Sequence, residues 1–257
     1  MYISIFGNDI PMYGILFFLG IFISVILAII FVKQSKISLF DFFSAVAFIL
    51  IGAIIGAKAL FIIASIDLIV ELQLSFMEVM RGGFVFYGGL IGGALGLWLY
   101  CKFFKMSMRK LCPICSTVLP LGHAIGRIGC FFAGCCYGIE YHGALSYTYT
   151  QSINIFTPIG VPLLPIQLIE SFILLLIFAI CLIFYLKNRE SYLSSIVYSI
   201  SYAVVRFVLE FFRGDGERGG VLGLSTSQWI SILIVLFIVS LIIIHKRRNF
   251  DNAIKKS

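Results

Sequence analysis

Seven stretches of this chain are almost continuously apolar, separated by short clusters of charged and turn-forming residues: Pro11 to Val32, Phe40 to Ile66, Gly83 to Phe104, Leu111 to Ala133, Leu163 to Leu186, Tyr192 to Phe212 and Ser225 to Ile244. Each is close to the ~20 residues an α-helix needs to cross the hydrocarbon core of a bilayer. The pattern predicts seven membrane-spanning helices and leaves no room for a soluble domain. Two connections are longer than a turn. One, from Ile66 to Gly82, carries Asp67, Glu71 and Glu78, and its part from Leu68 to Met80 is expected either as a surface-lying helix or as a plain connector. The other, from Gly134 to Pro162, is rich in Tyr, Thr and Gly, and is where a water-soluble partner would be met.

The charges orient this bundle. Thirteen of the 19 Lys and Arg fall in connections on one side or in the C-terminal tail: Lys33, Lys36, Lys102, Lys105, Arg109, Lys110, Lys187, Arg189, Lys246, Arg247, Arg248, Lys255 and Lys256. By the positive-inside bias the C-terminus is expected in the cytoplasm and the N-terminus outside. The fold expected is therefore all-α and polytopic, a single integral-membrane domain over residues 1–257. The N-terminal residues lack a basic lead-in and a small-residue cleavage site, so no removable signal peptide is expected.

Composition agrees: 61% of the residues are hydrophobic and 12% charged, with a mean hydropathy of +1.08. A net charge of +7 would suggest nucleic acid in a soluble protein. Here the surplus is topological, and the solvated basic face with stacking aromatics that nucleic-acid binding requires is missing.

Candidate chemistry lies in charges within the apolar stretches: Lys58, Arg127, Arg206 and Glu210. A charge near a helix centre costs about 2.5–3.5 kcal/mol even on lenient insertion scales, so such residues face a bundle interior or a wet cavity. Arg206 and Glu210 are four apart, with Arg213 about a turn further on, which predicts an Arg-Glu-Arg stripe on one helix face. Alone, that stripe reads equally as a self-neutralising structural pair. Arg127, in Gly126-Arg127-Ile128-Gly129, is the only charge of its stretch and has no carboxylate within a turn. A guanidinium keeps its charge in low dielectric and offers a planar fork for two phosphate oxygens. The arginines together point to a phospholipid headgroup.

The run from Gly126 to Gly138, GRIGCFFAGCCYG, resembles the signature G-R-x-G-N-F-x-N-x-E-x-x-G of the prolipoprotein diacylglyceryl transferases of bacterial inner membranes. Further stretches follow in the family's order: Tyr13-Gly14 resembles Y-G, Gly56-Ala57-Lys58 resembles G-A-R, and Gly82 to Gly89 resembles G-G-x-x-F-H-G-G. Pro165 to Glu170 is similar to P-x-Q-L-Y-E, Arg206, Glu210 and Arg213 to R-x-x-x-E-x-x-R, and Leu224 to Gln228 to L-x-M-G-Q. The chain departs from the pattern where Cys130 and Ala133 replace Asn, Cys135 replaces Glu, Tyr87 replaces His and Lys58 replaces Arg.

The resemblance implies transfer of the diacylglyceryl group of phosphatidylglycerol to the lipobox cysteine thiol in the signal segment of a prolipoprotein. The acceptor thiolate attacks the glyceryl carbon bearing the phosphate, and glycerol phosphate leaves. Catalytic residues implied are Arg127, Arg206, Tyr87 and Glu210, with Glu210 orienting Arg206. Substrate-binding residues implied are Tyr13, Lys58, Gly88, Gly89, Gly129, Cys130, Cys135, Gly138, Gln167, Glu170, Arg213 and Gln228. The site would open toward the external leaflet of the cytoplasmic membrane, with no cofactor or metal implied. A tyrosine, with a pKa near ~10, is a poorer base than a histidine near ~6.5, so Tyr87 is expected to position the phosphate. Two alternatives stand beside this: the same fold serving another acceptor, and a non-catalytic protein that binds anionic lipid.

Five of the seven cysteines lie between Cys112 and Cys136. Cys112 and Cys115 begin the fourth stretch and Cys135 and Cys136 follow it, so at ~1.5 Å per residue the groups lie ~30 Å apart and cannot share one metal. Cys112 and Cys115 are expected as structural thiols. For Cys130, Cys135 and Cys136 three readings stay open: a nucleophile carrying a covalent lipid (Cys130 or Cys135), a disulfide, or small weakly polar packing. His123 is expected as a satisfied core histidine.

Overall fold

A computed structural model describes residues 2–5, 8–73, 75–83, 85–215 and 220–254. A short hairpin of β1 (Tyr2–Ile5) and β2 (Asn8–Pro11) leads into α1 (Met12–Gln34). Then follow α2 (Leu39–Ala64), the short α3 (Ile66–Glu71) and α4 (Phe76–Arg81), α5 (Phe86–Phe103) and α6 (Met108–Ala133). The remainder is β3 (Tyr147–Thr148), β4 (Pro162–Leu163), α7 (Ile166–Lys187), α8 (Leu193–Glu210), the pair β5 (Gly220–Val221) and β6 (Leu224–Ser225), and α9 (Thr226–Ile254).

Among the described residues six helices, α1, α2, α6, α7, α8 and α9, are long and apolar enough to cross a membrane. The remaining predicted stretch, Gly83 to Phe104, holds α5, whose 18 residues give about 27 Å, close to the hydrocarbon thickness. The protein is thus an all-α polytopic membrane protein. The connection after α2 does form helices, α3 and α4, the second started by a reciprocal capping box between Ser75 and Glu78. The Ser75 hydroxyl and backbone N–H both donate to the Glu78 carboxylate, which holds it below its usual range.

The chain folds as two compact units, Ile29–Cys112 and Met1–Ala28 with Pro113–Ser257. In the first, α2 and α5 pack through glycines. A Cβ on Gly92 would lie 2.0 Å from the Gly52 carbonyl oxygen, and one on Gly56 2.2 Å from that of Gly88. Side chains cannot enter that seam, and membrane helices associate by such backbone contact because apolar burial adds little in lipid. Gly92→Val should therefore cost about 3 kcal/mol or more, read as a lower thermal midpoint and reduced monodisperse yield in detergent.

In the second unit α1 crosses α6 closely, Gly20 meeting the backbone of Gly122 and the Ser24 hydroxyl donating to the Val118 carbonyl at 3.4 Å. α6 contains Pro113 and Pro120, which remove helix hydrogen bonds. Ser116 and Thr117 hydroxyls donate to the Pro113 carbonyl at 3.2 and 2.7 Å, keeping polar groups satisfied inside lipid. The long connection from Gly134 to Pro165 has a small hydrophobic core of its own, Tyr137, Tyr149 and Leu163, with Phe131 of α6 packed against it.

Candidate active site

The site lies in the second unit, on α6, α7 and α8. His123 and Arg127 are four apart on α6, and Glu170 lies near the start of α7. Tyr202, Arg206 and Glu210 follow at intervals of four along α8 and share a face. The hub is Glu170, whose side chain is 1% exposed. Its carboxylate accepts from the Arg127 Nη2 at 2.9 Å and from the Tyr202 hydroxyl at 3.2 Å, with His123 Nε2 at 3.9 Å. The His123 ring meets the Tyr202 ring edge-on at 5.0 Å. A second buried pair joins Arg206 Nη2 to Glu210, with the Ser227 hydroxyl at 3.4 Å. Tyr202 stands within electrostatic reach of both guanidinium groups.

Neither arginine is used up by its carboxylate. Arg127 Nε and Arg206 Nη1 are buried and have no hydrogen-bond partner among the described residues. Unsatisfied buried donors are costly, and two on guanidinium groups match what an anionic oxygen would supply. The carboxylates meanwhile neutralise the arginines, so the bundle tolerates them in a low-dielectric setting.

Arg213 departs from the predicted stripe. The helix ends at Glu210, because the chain turns there, and Arg213 instead forms a backbone bridge with Gly138 and a bidentate pair with Asp215, at 2.9 and 2.7 Å. Burial opposes its charge, but the Asp215 hydrogen bonds hold its pKa above the ordinary value.

Most residues expected to bind substrate lie in the same unit as this hub. Tyr13 packs against Gly129, which has no room for a side chain without pressing on α1. Gly138 lies against the carbonyls of Leu164 and Phe212. Gln167 is fully buried and donates to the Cys135 carbonyl at 2.7 Å, fixing the chain that follows α6. Gln228 accepts from the Ser225 backbone N–H at 2.8 Å and donates to the Phe207 carbonyl at 3.3 Å, tying α9 to α8. Cys130, Cys135 and Cys136 come together, their sulfurs all within 4.8 Å of one another.

Lys58, Tyr87, Gly88 and Gly89 belong to the other unit. Lys58 Nζ donates to the carbonyls of Val79, Gly82 and Gly83 at 3.1, 2.9 and 3.1 Å, so it closes the C-terminal end of α4. Gly88 meets Gly56 in the α2–α5 seam and Gly89 lies beside Ala53. Tyr87 is half-buried in the first turn of α5.

Tyr202, Ser227 and Asp215 were missed by sequence reasoning. Tyr202 was recoverable, since Tyr198, Tyr202, Arg206 and Glu210 repeat every four residues.

The model of the prolipoprotein diacylglyceryl transferase family matches residues 1–244. The chain belongs to that family. It is 35% identical over 233 residues to the phosphatidylglycerol–prolipoprotein diacylglyceryl transferase of Clostridium tetani, covering 91% of this chain and 92% of that one. The second such transferase of Clostridium perfringens is also 35% identical, over 91% of this chain and 90% of its own. That of Finegoldia magna is 32% identical over 95% of each. The chain is thus a member of a multi-pass bacterial membrane enzyme family, the diacylglyceryl transferases.

Proposed function

We propose that this chain moves the diacylglyceryl group of phosphatidylglycerol to the thiol of a lipobox cysteine in a prolipoprotein signal segment. It does so in the bacterial cytoplasmic membrane, with the N-terminus outside, the C-terminus inside and the site toward the external leaflet. The observation that carries the reading is a pair of buried donors, Arg127 Nε and Arg206 Nη1, that find no partner among the described residues. Aimed at the phosphodiester, they hold the lipid and stabilise the charge that grows on the departing phosphate, an effect strong in a dry site. Glu170 and Tyr202 hold the Arg127 fork in place, and Glu210 and Ser227 that of Arg206. Fixed donors need no reorganisation as the carbon–oxygen bond breaks. The acceptor sulfur forms the new bond to the glyceryl carbon, and glycerol phosphate leaves with the electron pair.

The test is reconstitution of the full chain in vesicles of phosphatidylglycerol with a synthetic lipobox peptide, the product read by mass spectrometry. A diacylglyceryl adduct on the cysteine peptide, and none on its Cys→Ser analogue, is expected. A folded protein that binds the lipid but gives no adduct would exclude lipobox transfer and direct attention to another acceptor or to lipid binding alone.

A further inference from the structure

The helix α6 ends in a way that gathers three thiols. Gly134 takes a left-handed conformation, with φ of +75°. Its N–H donates to the Phe131 carbonyl at 3.1 Å, and that of Cys135 to the Cys130 carbonyl at 3.2 Å. These are the two bonds of a Schellman cap, a motif that brings the second residue past the helix beside the third from its end. Here those residues are Cys135 and Cys130. Cys136 follows with φ of +60°, a conformation uncommon for a residue with a side chain, and its sulfur joins the other two within 4.8 Å. All three are free thiols.

Zinc–sulfur bonds of about 2.3 Å place tetrahedral thiolates about 3.8 Å apart, within a small rotation of this arrangement. Three protein ligands leave a fourth position, as in zinc sites that bind a reactant. The Cys135 and Cys136 side of the cluster lines a cavity of about 540 Å³ shared with Asn154 and Asp215. The Arg213 and Arg127 guanidinium groups lie within electrostatic range of the Cys136 sulfur, each of them also paired with a carboxylate, Asp215 and Glu170. A covalent relay through one of these thiols fits less well, because the thioether it would form is not a leaving group. A disulfide would strand one of the three sulfurs.

We infer that Cys130, Cys135 and Cys136 bind one thiophilic divalent cation, of which zinc is the fitting one, and that its open position takes the sulfur of the acceptor cysteine. The role in the reaction rests on the transfer reading above. Zinc binding displaces the proton of the acceptor thiol to solvent, since a coordinated thiol is deprotonated outright. The sulfur lone pair then forms the bond to the glyceryl carbon, the carbon–oxygen bond breaks with its electrons on the phosphate, and the thioether, a weak ligand, leaves the metal. Nothing is oxidised or reduced. This supplies the activated sulfur that the phenol of Tyr87 is ill suited to generate.

The experiment uses the full chain in detergent. Zinc content should be close to one per chain and fall at least tenfold in the Cys130→Ser, Cys135→Ser, Cys136→Ser triple variant. Cobalt(II) loaded in place of zinc should show sulfur-to-metal charge-transfer absorption, growing by roughly a third, from three thiolates to four, when lipobox peptide is added and not with its Cys→Ser analogue. Wild-type zinc no higher than that of a folded triple variant, or cobalt without thiolate absorption, would overturn the site. If the triple variant fails to fold, the cobalt spectrum of the wild type alone decides. A site that fills but whose cobalt spectrum ignores the peptide thiol, or stripped protein that makes adduct at an undiminished rate, would overturn the acceptor role and leave lipobox transfer standing. Peptide-responsive cobalt with no adduct from zinc-loaded protein would support the site and overturn lipobox transfer.

Discussion

Arg127→Ala should abolish diacylglyceryl transfer, lowering turnover at least about 10³-fold, the scale on which a preorganised donor to a developing anion acts. The substitution also removes the partner of a carboxylate that is 1% exposed. Breaking a buried pair from one side costs about 3–5 kcal/mol, because the remaining charge is stranded. A simple loss of activity would therefore mix chemistry with folding. Adding Glu170→Gln resolves the two: the amide keeps an acceptor for Tyr202 and removes the stranded charge, so the double variant should regain most of the thermal midpoint and none of the transfer. Arg127→Lys, which keeps the charge but loses the planar fork, should fall between wild type and alanine. Transfer restored together with stability in the double variant would show that Arg127 serves only the fold.

The hydrophobic pattern made the helices legible because the bilayer imposes a length on each apolar run, and each of the seven predicted stretches holds one helix. The arginines were legible for the related reason that charge inside such a run must be compensated. What compensates them was only half visible. Arg206 and Glu210 are neighbours along one helix, so their pairing follows from spacing; Glu170 reaches Arg127 from 43 positions away, and no local pattern carries such a contact. The end of α8 was hidden for another reason. The apolar run continues through Phe211 and Phe212, and hydrophobicity alone does not mark the point where Arg213 leaves the helix to bridge Gly138 and take Asp215 as its partner. The gathering of the cysteines depends on the left-handed turn at Gly134 and Cys136, a backbone event whose sequence sign, one glycine, is common to many membrane helices.

Arg206→Lys tests the other half of the headgroup site with little risk to the fold. An ammonium in the same place can still pair with Glu210, so the buried carboxylate keeps a cation and the stability loss should be smaller than for removal of the charge. It cannot reproduce the second, unpartnered nitrogen at Nη1, because lysine presents a point charge where arginine presents a rigid fork. If Nη1 meets the phosphodiester as charge builds on the leaving oxygen, turnover should fall about 10²-fold while the Michaelis constant for phosphatidylglycerol changes little, the mark of an interaction made mainly in the transition state. A rise in the Michaelis constant at unchanged turnover would make Arg206 a binding group for the ground-state lipid. Wild-type kinetics in a folded variant would remove Arg206 from the site and leave the chemistry to Arg127 and its carboxylate, since nothing else on that face of α8 carries a free positive donor among the described residues.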